Sequence, residues 1–238
     1  MTPRRTTLVV GLAIAAAAAL ALTACGMPAG KQTTQERDVA DVTSVRLLTS
    51  GTLTVEEGGT PSLTVTAGEN VLGRLTSDVR DGVLVLGVDG SSLGAMTGSI
   101  SYHLVVDRLD AVTVEGSGDV TADAATGTRL DVAVRGSGDV TVSGVDVRSV
   151  AVAIAGSGDV SLAGRADDQA VVIEGSGDYL AASLATRDAT VSVEGSGDVD
   201  VDATGTLDVR IAGSGSVTHT GGAAVTSDVA GSGEVREG

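Results

Sequence analysis

The chain has 238 residues, with 31 acidic against 15 basic side chains and a formal net charge of −16. That balance repels nucleic acid and anionic lipid headgroups. The single cysteine excludes an intrachain disulfide, and with two tyrosines, no Phe and no Trp the chain lacks the large aromatics of an ordinary globular core.

Arg4 and Arg5 make the N-terminus basic, and Leu8 to Leu22 is an apolar run without charge. The run is short and rich in alanine, so it reads as an export signal and not as a membrane span. Leu22-Thr23-Ala24-Cys25 then resembles the lipobox of bacterial lipoproteins. The resemblance implies that residues 1–24 are a signal peptide removed before Cys25. It also implies that the thiol is alkylated by a diacylglyceryl group, so Cys25 is the lipid-attachment residue and the bilayer is its partner. Two acyl chains hold a protein stably at a bilayer, whereas one holds it only marginally. The expected location is the outer face of the cytoplasmic membrane. Residues 25–37 read as the acylated cysteine and a flexible tether. Every basic residue except Lys31 is arginine, and Ala, Gly and Val abound, as in the products of GC-rich genomes such as those of actinobacteria.

Residues 38–238 form the folding unit, less regular over 38–110 and repetitive over 111–238. Ser44 to Leu48, Leu53 to Val55, Leu63 to Ala67, Val83 to Val88 and Ile100 to Val106 read as strands. Glu69 to Ser77 reads as a short helical or irregular turn, and Asp89 to Gly98 as a Gly/Ser-rich loop. This half is expected to build the first coils and cap one end.

Gly-Ser-Gly-Asp then occurs five times, starting at Gly116, Gly136, Gly156, Gly175 and Gly195. Degenerate copies start at Gly213 and Gly231, and the steps are 20, 20, 19, 20, 18 and 18 residues. A fixed period of this length is the mark of stacked coils. Around each copy apolar residues take every second position, as in Val132, Val134, Val140 and Val142, which is the pattern of a strand with one buried face. The glycine pairs Gly116/Gly118, Gly136/Gly138, Gly156/Gly158, Gly175/Gly177 and Gly195/Gly197 fall on the inward parity. They read as structural corners where backbone approaches closely. A second corner is expected at Ala125 to Thr128, Val142 to Val145 and Ala203 to Thr206. Identical corners recurring in one direction favour parallel stacking over hairpins. The expected fold is therefore all-β, a single-stranded parallel β-helix, right-handed by the usual crossover rule, with an irregular capping half.

These corners, with the order Arg37 to Val55, Ser62 to Val65, Val79-Arg-Asp-Gly-Val-Leu-Val85 and Val105 to Gly116 before them, resemble the bacterial head GIN domain family of auto-transporter adhesins. The resemblance covers about residues 38 to 225. It implies a parallel β-helix at an exported or anchored location, and it carries no catalytic residues.

Asp119, Asp139, Asp159, Asp178 and Asp198 would form one column, continued by Ser216 and Glu234. Two readings compete. Each carboxylate accepts a corner N–H, as Asp does in turns, or the column holds calcium or contacts a partner. Glu115 and Arg135 are placed to pair across coils. His103 and His219 stand outside any metal or catalytic constellation, so no cofactor, metal or catalytic residue is expected. The function expected is binding or scaffolding toward an envelope or extracellular partner. A calcium-dependent structural module and a polysaccharide-active β-helix enzyme are the alternatives.

Overall fold

Period-two alternation governs the molecule. In the stretch from Arg129 to Val134, Leu130, Val132 and Val134 are buried while the residues between them face outward. The computed structural model describes residues 29–90 and 98–238. Cys25, the export signal and part of the Gly/Ser-rich loop lie outside the described residues.

In chain order the elements begin with β1 (Gln32–Arg37), β2 (Ser44–Leu47), β3 (Thr52–Glu57), β4 (Ser62–Gly68) and α1 (Glu69–Leu72). There follow β5 (Leu75–Arg80), β6 (Val83–Val88), β7 (Ser101–Val106), β8 (Ala111–Val114), β9 (Val120–Ala122) and β10 (Ala125–Thr126). The repeats supply β11 (Arg129–Val134), β12 (Val140–Ile154), β13 (Val160–Ile173), β14 (Tyr179–Val193) and β15 (Val199–Ile211). The last coil and a half hold β16 (Val217–Thr220), β17 (Ala224–Val229) and β18 (Val235–Glu237).

From β8 onward every coil pairs in parallel with the next, and the register equals the spacing of the tetrapeptide. Val112 lies on Val132, Val132 on Val152, Val152 on Val171, Val171 on Val191 and Val191 on Val209. All six are buried. Burying a valine stabilises the fold by about 1.5–2 kcal/mol relative to exposure. A column of them, locked by ladder hydrogen bonds, replaces the aromatic core. The two tyrosines, Tyr102 and Tyr179, are also inside.

The N-terminal half stacks out of sequence order. The coil made by β2 and β3 lies between β6–β7 on one side and β8–β9 on the other: Val45 pairs with Leu84 and with Val112, and Val55 with Leu104 and with Ala122. Beyond β6 and β7 the pairing turns antiparallel, with β5 on β6, β4 on β7 and β1 on β4. The β5–β6 hairpin turns at Asp81-Gly82, both at positive φ (51° and 78°), as a two-residue hairpin of this sequence requires. This antiparallel layer and α1 close one end of the coil.

Two expectations need correction. Residues 32–37 are not tether: they form β1, paired along its whole length from Gln32↔Gly68 to Arg37↔Leu63. Its side chains carry no apolar alternation because nearly all are exposed; the backbone ladder and the Arg37 clamp hold it. The Arg37 guanidinium donates to the carbonyls of Leu72 (3.2 Å) and Leu75 (2.8 Å) and to the Ser77 hydroxyl (3.1 Å), tying β1 to α1 and β5. The second corners, moreover, mostly do not break the strand. The strands β12 to β15 run through them for 13 to 15 residues. Register shifts fall there, between Val142 and Val145, between Ser161 and Ala163, and between Ala181 and Ala185. Bulges absorb the drift in repeat length, while the glycine corners stay in register.

Candidate functional site

The glycine corners form one continuous stack along the solenoid. From Ser137 onward each Ser N–H donates to the first-glycine carbonyl of the preceding coil, as in Ser137 to Gly116 (3.1 Å) and Ser157 to Gly136 (3.0 Å). The residue after each Asp donates forward, as in Val140 to the Asp159 carbonyl (2.9 Å). Neither glycine tolerates a side chain. A Cβ at Gly136 would lie 1.8 Å from the Gly116 oxygen, and one at Gly138 would lie 2.0 Å from the Gly118 oxygen. The same holds at Gly156 and Gly158 (1.9 and 2.1 Å), Gly175 and Gly177 (2.0 and 2.1 Å) and Gly195 and Gly197 (1.8 and 2.0 Å). The requirement is therefore steric. Stacked backbones approach so closely that each carbonyl fills the space of the next Cβ.

The stack begins one coil earlier than the tetrapeptide shows. Thr49-Ser50-Gly51-Thr52 is a further corner, since a Cβ at Gly118 would meet the Gly51 oxygen at 2.1 Å and one at Gly116 the Thr49 oxygen at 2.4 Å. Thr49 replaces the first glycine. It is buried, its hydroxyl accepts the Gly51 N–H (3.3 Å) and donates toward the Tyr102 hydroxyl at 3.5 Å. The surviving signal was the Ser-Gly pair before an alternating strand.

The aspartates do form a column, and one oxygen of each is committed. Oδ1 of Asp119 accepts the backbone N–H of Asp139 (3.1 Å). Asp139, Asp159, Asp178 and Asp198 accept in turn from Asp159, Asp178, Asp198 and Ser216, each at 2.8 Å. The hydrogen-bond reading of these residues thus describes the structure, with the partner in the next coil. Like charges about 4.8 Å apart repel by roughly 0.9 kcal/mol in water, whereas a hydrogen bond to a charged group is worth about 1.5–3 kcal/mol. The bonds outweigh the repulsion. Among the described residues no three of His, Cys, Asp and Glu come together to hold a metal ion.

Elsewhere the outer face carries cross-coil ion pairs. Glu115 lies 3.0 Å from Arg135 and 3.7 Å from Arg46, and Arg187 bridges Asp168 (3.0 Å) and Asp188 (2.7 Å). Arg187 and the Thr206 hydroxyl hold the Asp188 carboxyl below the usual carboxylate range, and Arg108 does the same for Asp110. Depressions of 230 to 390 Å³ line this face. One of them contains Asp168 and Asp188, a carboxylate pair that shares the single guanidinium of Arg187. A glycosidase needs one free acid and one free base or nucleophile. His103 pairs with Glu56 across β3 and β7 (3.0 Å), and both are exposed. His219 points into the interior with Nδ1 buried and unpartnered among the described residues. Inside the solenoid the Tyr179 hydroxyl donates to Gln169 Oε1 (3.0 Å), Gln169 Nε2 to Thr186 Oγ1 (2.8 Å), and Thr186 to the Asp202 carbonyl (2.6 Å). Burial pushes the Tyr179 phenol well above its ordinary pKa, and that of Tyr102 in the same direction.

Solved structures share this architecture. A "putative adhesin" from Bacteroides fragilis superposes with a TM-score of 0.79 at 22% identity, over 87% of this chain and 97% of that one. A "putative lipid binding protein" from Parabacteroides distasonis gives 0.72 at 22% identity, over 88% and 97%. A "putative adhesin" from Parabacteroides merdae gives 0.67 at 21%, again over 88% and 97%. At such identity the likeness is one of fold. No match emerges among curated proteins. The family model described as "Putative auto-transporter adhesin, head GIN domain" matches residues 41–223, from just before β2 to the turn after β16, and the chain belongs to that family.

Proposed function

We propose that this chain is an exported lipoprotein, held at the outer face of the cytoplasmic membrane through diacylated Cys25, whose β-helical ectodomain works without catalysis as an adhesin-like binding or scaffolding surface. The observation that carries this reading is where the chain enters the fold. It arrives at the capped end: the Ala29 carbonyl accepts the Asn70 N–H (3.2 Å), the Lys31 carbonyl accepts the Glu69 N–H (2.9 Å), and β1 is the outermost strand there. Four residues span at most roughly 14 Å, so a lipid on Cys25 would keep the cap near the bilayer. The repeats would then rise away from it by roughly 30 Å at the β spacing. Description of one structural relative as a lipid binding protein fits work at a membrane surface. A calcium-dependent module has weaker support, because each Asp of the column already spends one oxygen on a backbone N–H.

Fractionation tests the anchor. The wild-type chain should sediment with membranes, and Cys25→Ser should move to the soluble fraction; retention of the variant would end the lipid reading. Capture from cell-envelope extract on immobilised protein, with and without calcium, tests the binding surface. A specific captured component supports it, and no capture in either condition removes it.

A further inference from the structure

Two sheet edges end at the last coil, and the chain treats them differently. The edge at β18 is charged: Arg236 and Glu237 lie on it, and Arg236 donates to Glu234 beside it (2.7 Å). Charges of this kind discourage edge pairing. The other edge, β17, carries a single charged residue, Asp228, which lies 3.9 Å from Arg210 of the preceding coil. Among the described residues β17 pairs only with β15, and all six of its residues are exposed. Its register sets Val225, Ser227 and Val229 over Leu207, Val209 and Ile211, so these three continue the interior column. Val225 and Val229 are 39% and 40% exposed, against 0% for Leu207 and Ile211 beneath them.

We propose that this edge pairs with the same edge of a second copy, antiparallel about a two-fold axis. Facing residues in an antiparallel pair lie on the same side of the sheet, so the axis must pass through a residue and not between two. The register centred on Ser227 sets Val225 against Val229 of the second copy, and Thr226 against Asp228, each twice. The valine pairs extend both interiors across the junction, each threonine hydroxyl faces a carboxylate that can accept a hydrogen bond from it, and no like charges meet. A parallel strand laid over the whole last coil is more restricted. A Cβ at Gly233 would already lie 2.1 Å from the Gly215 oxygen. By the same stacking, a chain crossing Gly231 and Gly233 must itself present Gly-x-Gly. Antiparallel pairing along β17 stops short of that corner. A net charge of −16 on each copy opposes association, so the dimer tightens as salt rises.

Sedimentation velocity on the Cys25→Ser chain released from the membrane should give a species of twice the monomer mass at high protein concentration. Thr226→Asp sets two like-charge pairs across the axis and should weaken the dimer about tenfold, whereas Thr226→Arg should tighten it. Thr226 is exposed, and circular dichroism checks that both variants fold. Ser227→Cys in a Cys25→Ser background should form a disulfide dimer under mild oxidation, while Ser176→Cys, exposed at a corner in mid-solenoid, should not. A monomer at every concentration and salt overturns the proposal. So does equal cross-linking at both positions, or identical behaviour of the two Thr226 variants.

Discussion

The two halves of this solenoid obey one interior rule and opposite stacking rules. Residues 111–238 stack in the order they are written, so each coil inherits its register from the one before and the glycine carbonyls form an unbroken file. Residues 29–110 place β2–β3 between two coils made later in the chain, then close the end with antiparallel strands. Repetition therefore fixes backbone position to a fraction of an ångström in one half. Specific side chains such as Arg37 and Thr49 do that work in the other. The repeat half should be intolerant of backbone bulk and the cap half intolerant of lost polar partners.

The sharpest break of that contrast is a methyl group. Gly158→Ala puts a Cβ 2.1 Å from the Gly138 oxygen, and its three nearest neighbours are all backbone atoms of Gly138, with no side chain to yield. We expect a loss of about 3 kcal/mol or more, or failure to fold. Gly73→Ala, at the end of α1, meets nothing within 4 Å and keeps an ordinary helical φ of −68°. It should change stability by less than about 1 kcal/mol, in the stabilising direction. Urea midpoints decide the matter. Equal losses at the two positions would mean that the corners are not held by carbonyl-on-glycine packing.

That asymmetry also explains what the sequence made legible. The period, the alternation of valines and the two-glycine corner are one physical fact repeated, so the parallel coil and the positions of Gly116 to Gly197 could be read directly. The cap half was legible in most of its strands and in its place at one end, but not in its pairing, because out-of-order stacking leaves no period. Its corner at Thr49-Ser50-Gly51-Thr52 keeps only one of the two glycines, and β1 is a strand whose side chains are nearly all wet. The Asp column was legible as a column. Its bonding was half legible: an N–H partner was expected within the turn, and the stack supplies it from the next coil.

A smaller effect is expected from the column itself. Asp159→Ala removes the acceptor for the Asp178 N–H, which should cost about 1–2 kcal/mol. Asp159→Asn keeps an oxygen in place and relieves repulsion from Asp139 and Asp178, so it should cost less than half as much. Equal losses would show that the charge and not the hydrogen bond matters, and would return the column to the cation reading. Thermal melts of both variants in EDTA and in millimolar calcium separate those outcomes.

The tyrosines report on the halves one by one, and by the smallest margin. Tyr179, in the repeats, donates to Gln169 Oε1 at 3.0 Å, and Gln169 is 3% exposed. Removing the hydroxyl leaves that oxygen without this donor in the interior, so Tyr179→Phe should cost about 1–2 kcal/mol. Tyr102, in the cap half, receives only a 3.5 Å contact from Thr49, at the limit of a useful bond, and Tyr102→Phe should cost less than about 0.5 kcal/mol. Both phenols have their pKa raised by burial. The folded state therefore holds their protons when the unfolded chain would release them. Their contribution is complete below the unfolded value of about 10 and declines as pH rises past it toward the folded values. Tyrosinate absorbance should consequently appear with unfolding and not before it. Because no other aromatic side chain contributes, Tyr102→Phe leaves Tyr179 as the sole source of the signal. If that signal titrates near pH 10 while the β-sheet circular dichroism persists, Tyr179 is not sealed inside the coil and the repeat half is looser than its glycine file requires.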